Sequence, residues 1–118
     1  MKYLNSYKIF EKNHKKMYHA SLWLNRNSIL TNGLNHSGIS PWEDEYPKGT
    51  YLYDDIQKTR NYGFGNGDPF DIWEVDTSSY NIKDDPITNG AFFISESISI
   101  NDIRLIESHE NDVTNPIN

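Results

Sequence analysis

The stretch Phe70-Asp-Ile-Trp-Glu-Val-Asp76 divides the chain into two unlike halves. Phe70, Ile72, Glu74 and Asp76 fall on one side of an extended chain, and Asp71, Trp73 and Val75 on the other. Its β-branched and aromatic content predicts a strand. Beyond it, Ala91–Ile98 and Ile103–Glu107 read as two further strands separated by 99–102. A short strand at Tyr80–Ile82 interrupts the connection from Thr77 to Pro86, and the tail from Ser108 frays.

Before it, helical signals dominate. Lys16–Trp23 is strand-like, and a short helix follows, capped by Asn25 or Asn27, with Ile29 and Leu30 facing inward. Asn32-Gly33 closes that helix, because glycine takes a left-handed conformation without a side-chain penalty. Residues 35–49, with His36 and Trp42, read as a loop of the length that often lines a binding site. Thr50–Tyr53 is a short strand, and Asp54 or Asp55 caps a second helix running to about Tyr62. Gly63-Phe-Gly-Asn-Gly-Asp-Pro69 then forms a turn. It lacks the Gly-x-Gly-x-x-Gly and Walker spacings and follows a helix, so a phosphate loop is not indicated. Residues 1–14 match neither a strand nor a helix period well and are read as a short helix or strand. Helices early and strands late predict an α+β fold with a mainly antiparallel sheet.

A length of 118 residues suits a single domain over 1–118, with its core at about 17–107 and a flexible tail at 108–118. Eight Tyr, five Phe and three Trp supply a ring-rich core despite a hydrophobic content of 36%. Acids outnumber bases 17 to 11, and the net charge of −6 argues against broad binding to a polyphosphate backbone. Lys8, Lys12, Lys15 and Lys16 cluster early and read as a solvated face. With no cysteine, disulfide scaffolds, cysteine zinc sites and thiol nucleophiles are excluded. Neither a membrane-span-length apolar run nor a signal-peptide core is present, so a cytoplasmic protein without membrane contact is expected.

The histidines, His14, His19, His36 and His109, have no zinc-helix spacing, and no Gly-x-Ser-x-Gly elbow occurs, so no metal site is expected. Asp54-Asp55 and Asp84-Asp85 sit where caps and turns explain them. His19 is open to two readings at this point, a satisfied polar group at a strand end or one corner of a site. Tyr51 likewise is either a core ring or a ligand platform.

Taken in order, the remaining motifs are Tyr18-His-Ala-Ser21, Ile29-Leu-Thr-Asn-Gly-Leu34, and Gly49-Thr-Tyr-Leu-Tyr53 with a helix ending Asn61-Tyr-Gly63. Asp71-Ile-Trp-Glu-Val-Asp76 and Ile98-Ser-Ile-Asn-Asp-Ile-Arg-Leu-Ile106 complete them. Across residues 17 to 107 this set resembles the ADP-ribosyltransferase fold superfamily, notably its small members, including RNA 2′-phosphotransferases. The resemblance implies a mainly antiparallel split sheet with two short helices and NAD as substrate. It also implies transfer of ADP-ribose to a protein or nucleic-acid acceptor, as in a toxin or a phage-encoded modifier. By the same resemblance His19 bonds the ribose hydroxyls of NAD, the backbone of Ala20 and Ser21 holds the nicotinamide amide, and Tyr51 stacks on the nicotinamide ring.

The chain departs from that pattern in four places. Ala20 replaces a glycine, and Ile100 stands where the closing motif has proline. The arginine set of the phosphotransferases is incomplete, with only Arg26, Arg60 and Arg104. The catalytic glutamate expected near Ala91 is missing. Glu96 is the nearest acid in that segment, but it is in phase with Phe92 and not with Ala91, so it serves only in another register. The missing acid keeps a second expectation in play, a catalytically silent NAD- or ADP-ribose-type nucleotide-binding or protein-interaction module on the same fold. A third is an unrelated α+β interaction protein in which His19 and Tyr51 are structural.

Overall fold

Strand β3, Phe70–Asp76, lies between two other strands and is buried on both faces apart from the half-buried Glu74 and the exposed Asp76. The computed structural model describes residues 16–35, 49–86 and 88–110. Within them β1 (Lys16–Leu22), β2 (Thr50–Tyr53), β3, β4 (Ile82–Asp84), β5 (Ala91–Ile94) and β6 (Ile103–His109) form one sheet in the order β4-β5-β2-β1-β3-β6. Every neighbouring pair is antiparallel. With the helices α1 (Arg26–Asn32) and α2 (Ile56–Asn66), this is a small α+β domain. No helix among the described residues is long and apolar enough to cross a membrane.

The sheet is continuous where a split was expected, yet its middle seam is thin. β1 pairs with β3 along seven positions, from Lys16 opposite Asp76 to Leu22 opposite Phe70. Toward β2 it pairs at one position, Tyr18 opposite Tyr53. Further along, a side chain bridges the two strands, because the His19 imidazole reaches the Tyr51 carbonyl.

β2 and β3 flank β1 and both run against it, so the connection β2–α2–β3 carries α2 across β1. Asp55 caps α2, its carboxylate accepting from the Gln57 amide at 2.8 Å. The helix does not stop at Tyr62. It continues through Gly63 to Asn66 and ends at Gly67, whose φ of +83° is left-handed. Packing overrides the usual cost of glycine in a helix here: a Cβ on Gly63 would lie 2.2 Å from the Phe70 ring. That absence of a side chain lets α2 close on the sheet.

On the other face, Met17, Leu52, Trp73, Val75 and Ile94 pack with Ile29 of α1, Leu34 and Ile98. Each such side chain, once removed from water, contributes about 1.5–3 kcal/mol. Only Ile29 turns inward from α1, and Leu30 stays half exposed. Asn25 occupies the cap position with helical dihedrals and makes no side-chain cap bond, so neither expected asparagine cap forms. The entry is held instead by Arg26, which pairs with buried Asp71 through two bonds of 2.8 and 2.6 Å. Trp23 in the preceding 3-10 turn (Trp23–Asn25) also donates its amide to the Pro69 carbonyl. Gly33 (φ +79°) ends α1 against the Ile98 carbonyl.

The later strands shift from their expected limits. β5 ends at Ile94, and after a bend Ile98 bridges to Leu34 instead of extending the strand. β4 starts at Ile82, because Tyr80 turns its hydroxyl toward Asp102 and the Ser99 amide. β6 runs on to His109, so Ser108 belongs to the sheet and not to a frayed tail. Its hydroxyl joins the Asp71–Arg26 pair. Residues 1–15, most of the expected 35–49 loop with His36 and Trp42, and 111–118 lie outside the described residues.

Candidate functional site

A cleft of about 470 Å³ opens at the end of β1, where α2 passes over it. β1 supplies His19, Ala20, Ser21 and Leu22, and the following turn supplies Asn25. From the facing helix come Tyr62, Gly63 and Asn66, and the lead into β3 adds Asp68 and Phe70. Alternation along β1 puts His19 and Ser21 on the face that carries Met17 and Trp73, and Ala20 and Leu22 on the face that α2 covers, so the cleft takes its lining from both faces at the strand end.

The chemistry of His19 is fixed by its neighbour. Its Nδ1 lies 2.8 Å from the Tyr51 carbonyl, which only accepts, so Nδ1 carries the hydrogen and Nε2 the lone pair. Burial lowers the imidazole pKa below its ordinary value, against a smaller opposing effect of that carbonyl bond. The ring is therefore neutral at pH 7. Nε2 is an acceptor with no partner among the described residues, suited to a hydroxyl donor. Ser21 is oriented likewise, its oxygen accepting from Trp73 Nε1 at 2.9 Å and keeping its own hydrogen to give.

Tyr62 is the tyrosine that lines the cleft. It is 51% exposed, with Tyr53 tilted against it at 6.0 Å between centroids. The Phe70 wall is rigid, since His109 stacks on it at 4.9 Å and Phe64 meets it edge-on at 5.2 Å. His109 is held in turn by Glu107, at 2.8 Å, and Glu107 accepts from Arg60 of α2. The Arg60 guanidinium holds the Glu107 carboxyl down at about 2, and the His109 contact adds to it.

Three of the expected site residues, His19, Ala20 and Ser21, thus converge on one cleft. The Tyr51 ring is not among its lining residues; it stacks on Phe93 at 5.3 Å and touches the site through its carbonyl. Glu96 is exposed in the bend after β5, near enough to Tyr80 to raise its pKa, and does not line the cleft. Asn25, Tyr62, Asn66 and Asp68 were not singled out from sequence. The available signal was Tyr62 beside a glycine-rich run, which looks like a connector until the helix is seen to pass through it.

No protein-family model matches the chain, and a search of curated proteins returns no significant match.

Proposed function

We propose that the chain binds an NAD- or ADP-ribose-type nucleotide in this cleft, as an ADP-ribosyltransferase-like protein. The observation that carries the reading is the convergence of His19, Ala20 and Ser21 with Tyr62. In that arrangement a ribose hydroxyl donates to His19 Nε2, Ser21 holds a polar substituent of the base, and a flat ring lies against Tyr62. The ring-and-ribose half of the ligand suits the cleft, because the His19 Nε2 acceptor matches a hydroxyl donor.

Transfer of ADP-ribose to a protein or nucleic-acid acceptor, in a toxin or phage-encoded modifier, is the second reading. Asp68 favours it, as an acid that lines the cleft where Glu96 does not. Such an acid could steady a cationic sugar centre as nicotinamide leaves. Calorimetry with NAD and ADP-ribose tests the binding proposal, with His19→Ala expected to weaken affinity about tenfold through loss of one hydrogen bond. Absence of saturable binding by both nucleotides overturns it. Release of free nicotinamide on incubation with NAD distinguishes the transferase from a silent binding module.

A further inference from the structure

We propose that Asn89 is a site of spontaneous deamidation, made reactive by the turn that leads into β5 and by the Lys58 ammonium lying against it. The proposal does not depend on the nucleotide reading. Asparagine followed by glycine occurs at Asn32-Gly33, Asn66-Gly67 and Asn89-Gly90. Glycine leaves the nitrogen after the asparagine unhindered, so all three can cyclise. The glycine nitrogen gives up its proton and attacks the side-chain carbonyl carbon. The new C–N bond closes a succinimide, and the side-chain nitrogen leaves with that proton as ammonia. Water then opens the ring at either carbonyl, giving aspartate or isoaspartate.

Two of the three sites are held back by their helices. Asn32 and Asn66 are the last residues of α1 and α2, and the amides after them already donate. Gly33 gives to the Ile29 carbonyl at 2.8 Å and Gly67 to the Phe64 carbonyl at 3.2 Å. Each must leave its acceptor before its nitrogen can turn on the side chain. Asn89 is exposed, and the Gly90 amide makes no hydrogen bond among the described residues. The turn is closed by the next amide, Ala91 to the Thr88 carbonyl at 3.3 Å. Gly90 has a φ of +84°, so the conformation that demands glycine also leaves its nitrogen bare. Lys58 of α2 reaches the same turn, since a Cβ built on Gly90 would lie 2.6 Å from Nζ. A cation there favours the deprotonated nitrogen and the anionic tetrahedral intermediate.

Peptide mapping by mass spectrometry, after the folded full chain is incubated in mildly alkaline buffer made with oxygen-18 water, tests the proposal. Asn89 should convert about five- to tenfold faster than Asn32 or Asn66, the factor that one amide hydrogen bond carries, with one heavy oxygen taken up per event. In urea the three rates should converge, because the protection belongs to the fold. Lys58→Met should slow Asn89 about two- to threefold, a modest change because the lysine is half exposed, and leave the other two sites as internal controls. Conversion of Asn32 or Asn66 as fast as Asn89 in the folded chain, or rates that stay as far apart in urea, overturns the proposal. An Asn89 rate that Lys58→Met leaves unchanged overturns the part given to Lys58.

Discussion

Gly63→Ala and Gly65→Ala place the same methyl group two residues apart in one helix, and they should move stability in opposite directions. In a helix interior, alanine is favoured over glycine by about 0.5–1 kcal/mol. At Gly65 nothing lies within 4 Å of the added carbon, so that gain is realised. At Gly63 the new carbon would sit 2.2–2.4 Å from three atoms of the Phe70 ring. That ring has little room to retreat, being stacked on His109 and edged by Phe64. Overpacking of this kind costs about 1–3 kcal/mol, with more when neighbours are pinned. The net effect at Gly63 is a loss of about 1–2 kcal/mol, and Tm falls by about 4–8 °C for a domain of this size. Gly65→Ala raises Tm by about 2–4 °C on the same scale. Urea and thermal unfolding followed by circular dichroism measure both. A Gly63→Ala protein as stable as Gly65→Ala would refute the close approach of α2 to β3, and with it the wall of the cleft. Phe70→Leu offers a check by double-mutant cycle, since a smaller partner should remove most of the Gly63→Ala penalty.

Other outcomes follow from the charge pairs and the histidine. Arg26→Gln should lower Tm much more than Arg104→Gln, because it strands the fully buried Asp71 carboxylate, whereas Arg104 is largely solvated and its partner Glu74 keeps some access to water; unfolding curves of the two variants compare them directly. Glu107, held at about 2 against an ordinary 4.5, binds its proton more readily when unfolded. Its contribution is full above about pH 4.5 and is lost as the pH falls toward 2, so Glu107→Gln should flatten the acid limb of a stability–pH profile. His19 titrates in the opposite sense to a paired cation. With its folded pKa lowered, stability is full above 6.5 and declines below that as the unfolded imidazole takes up a proton. Nucleotide affinity should stay level down through that value and fall only when Nε2 is protonated, which calorimetry across pH reads out.

The α+β class and most element positions were legible because they rest on local chemistry. β3 shows its two apolar sides in its own seven residues, and Asp55 announces α2 by its capping side chain. The helix ends and strand limits that shifted depend on partners far along the chain. Ser108 reads as the start of a polar tail, and only the Asp71–Arg26 pair, 37 and 82 residues distant, explains why it is ordered. Tyr80 reads as a strand residue until Asp102 and Ser99 claim its hydroxyl. Leu30 fits the inward stripe of α1 as well as Ile29 does, yet a helix of seven residues turns only one of them onto the core.

The candidate site was half legible for the same reason. His19, Ala20 and Ser21 are consecutive, so a strand ending there carries them to one place whatever the rest of the chain does. Tyr62, Asn66 and Asp68 reach that place only if the glycine-rich run Gly63–Gly67 is helical, and local propensity argues against a helix there. The contact that decides it is Phe70 against Gly63, a long-range effect of a residue type usually taken as punctuation. The same missing side chain brings Tyr62 over β1 and opens the gap that the cleft occupies. Filling it should therefore damage ligand binding as well as stability, whereas Gly65→Ala, on the free side of the helix, should leave binding unchanged. The two alanine variants thereby separate a glycine kept for packing at the cleft from one with no steric reason to be glycine.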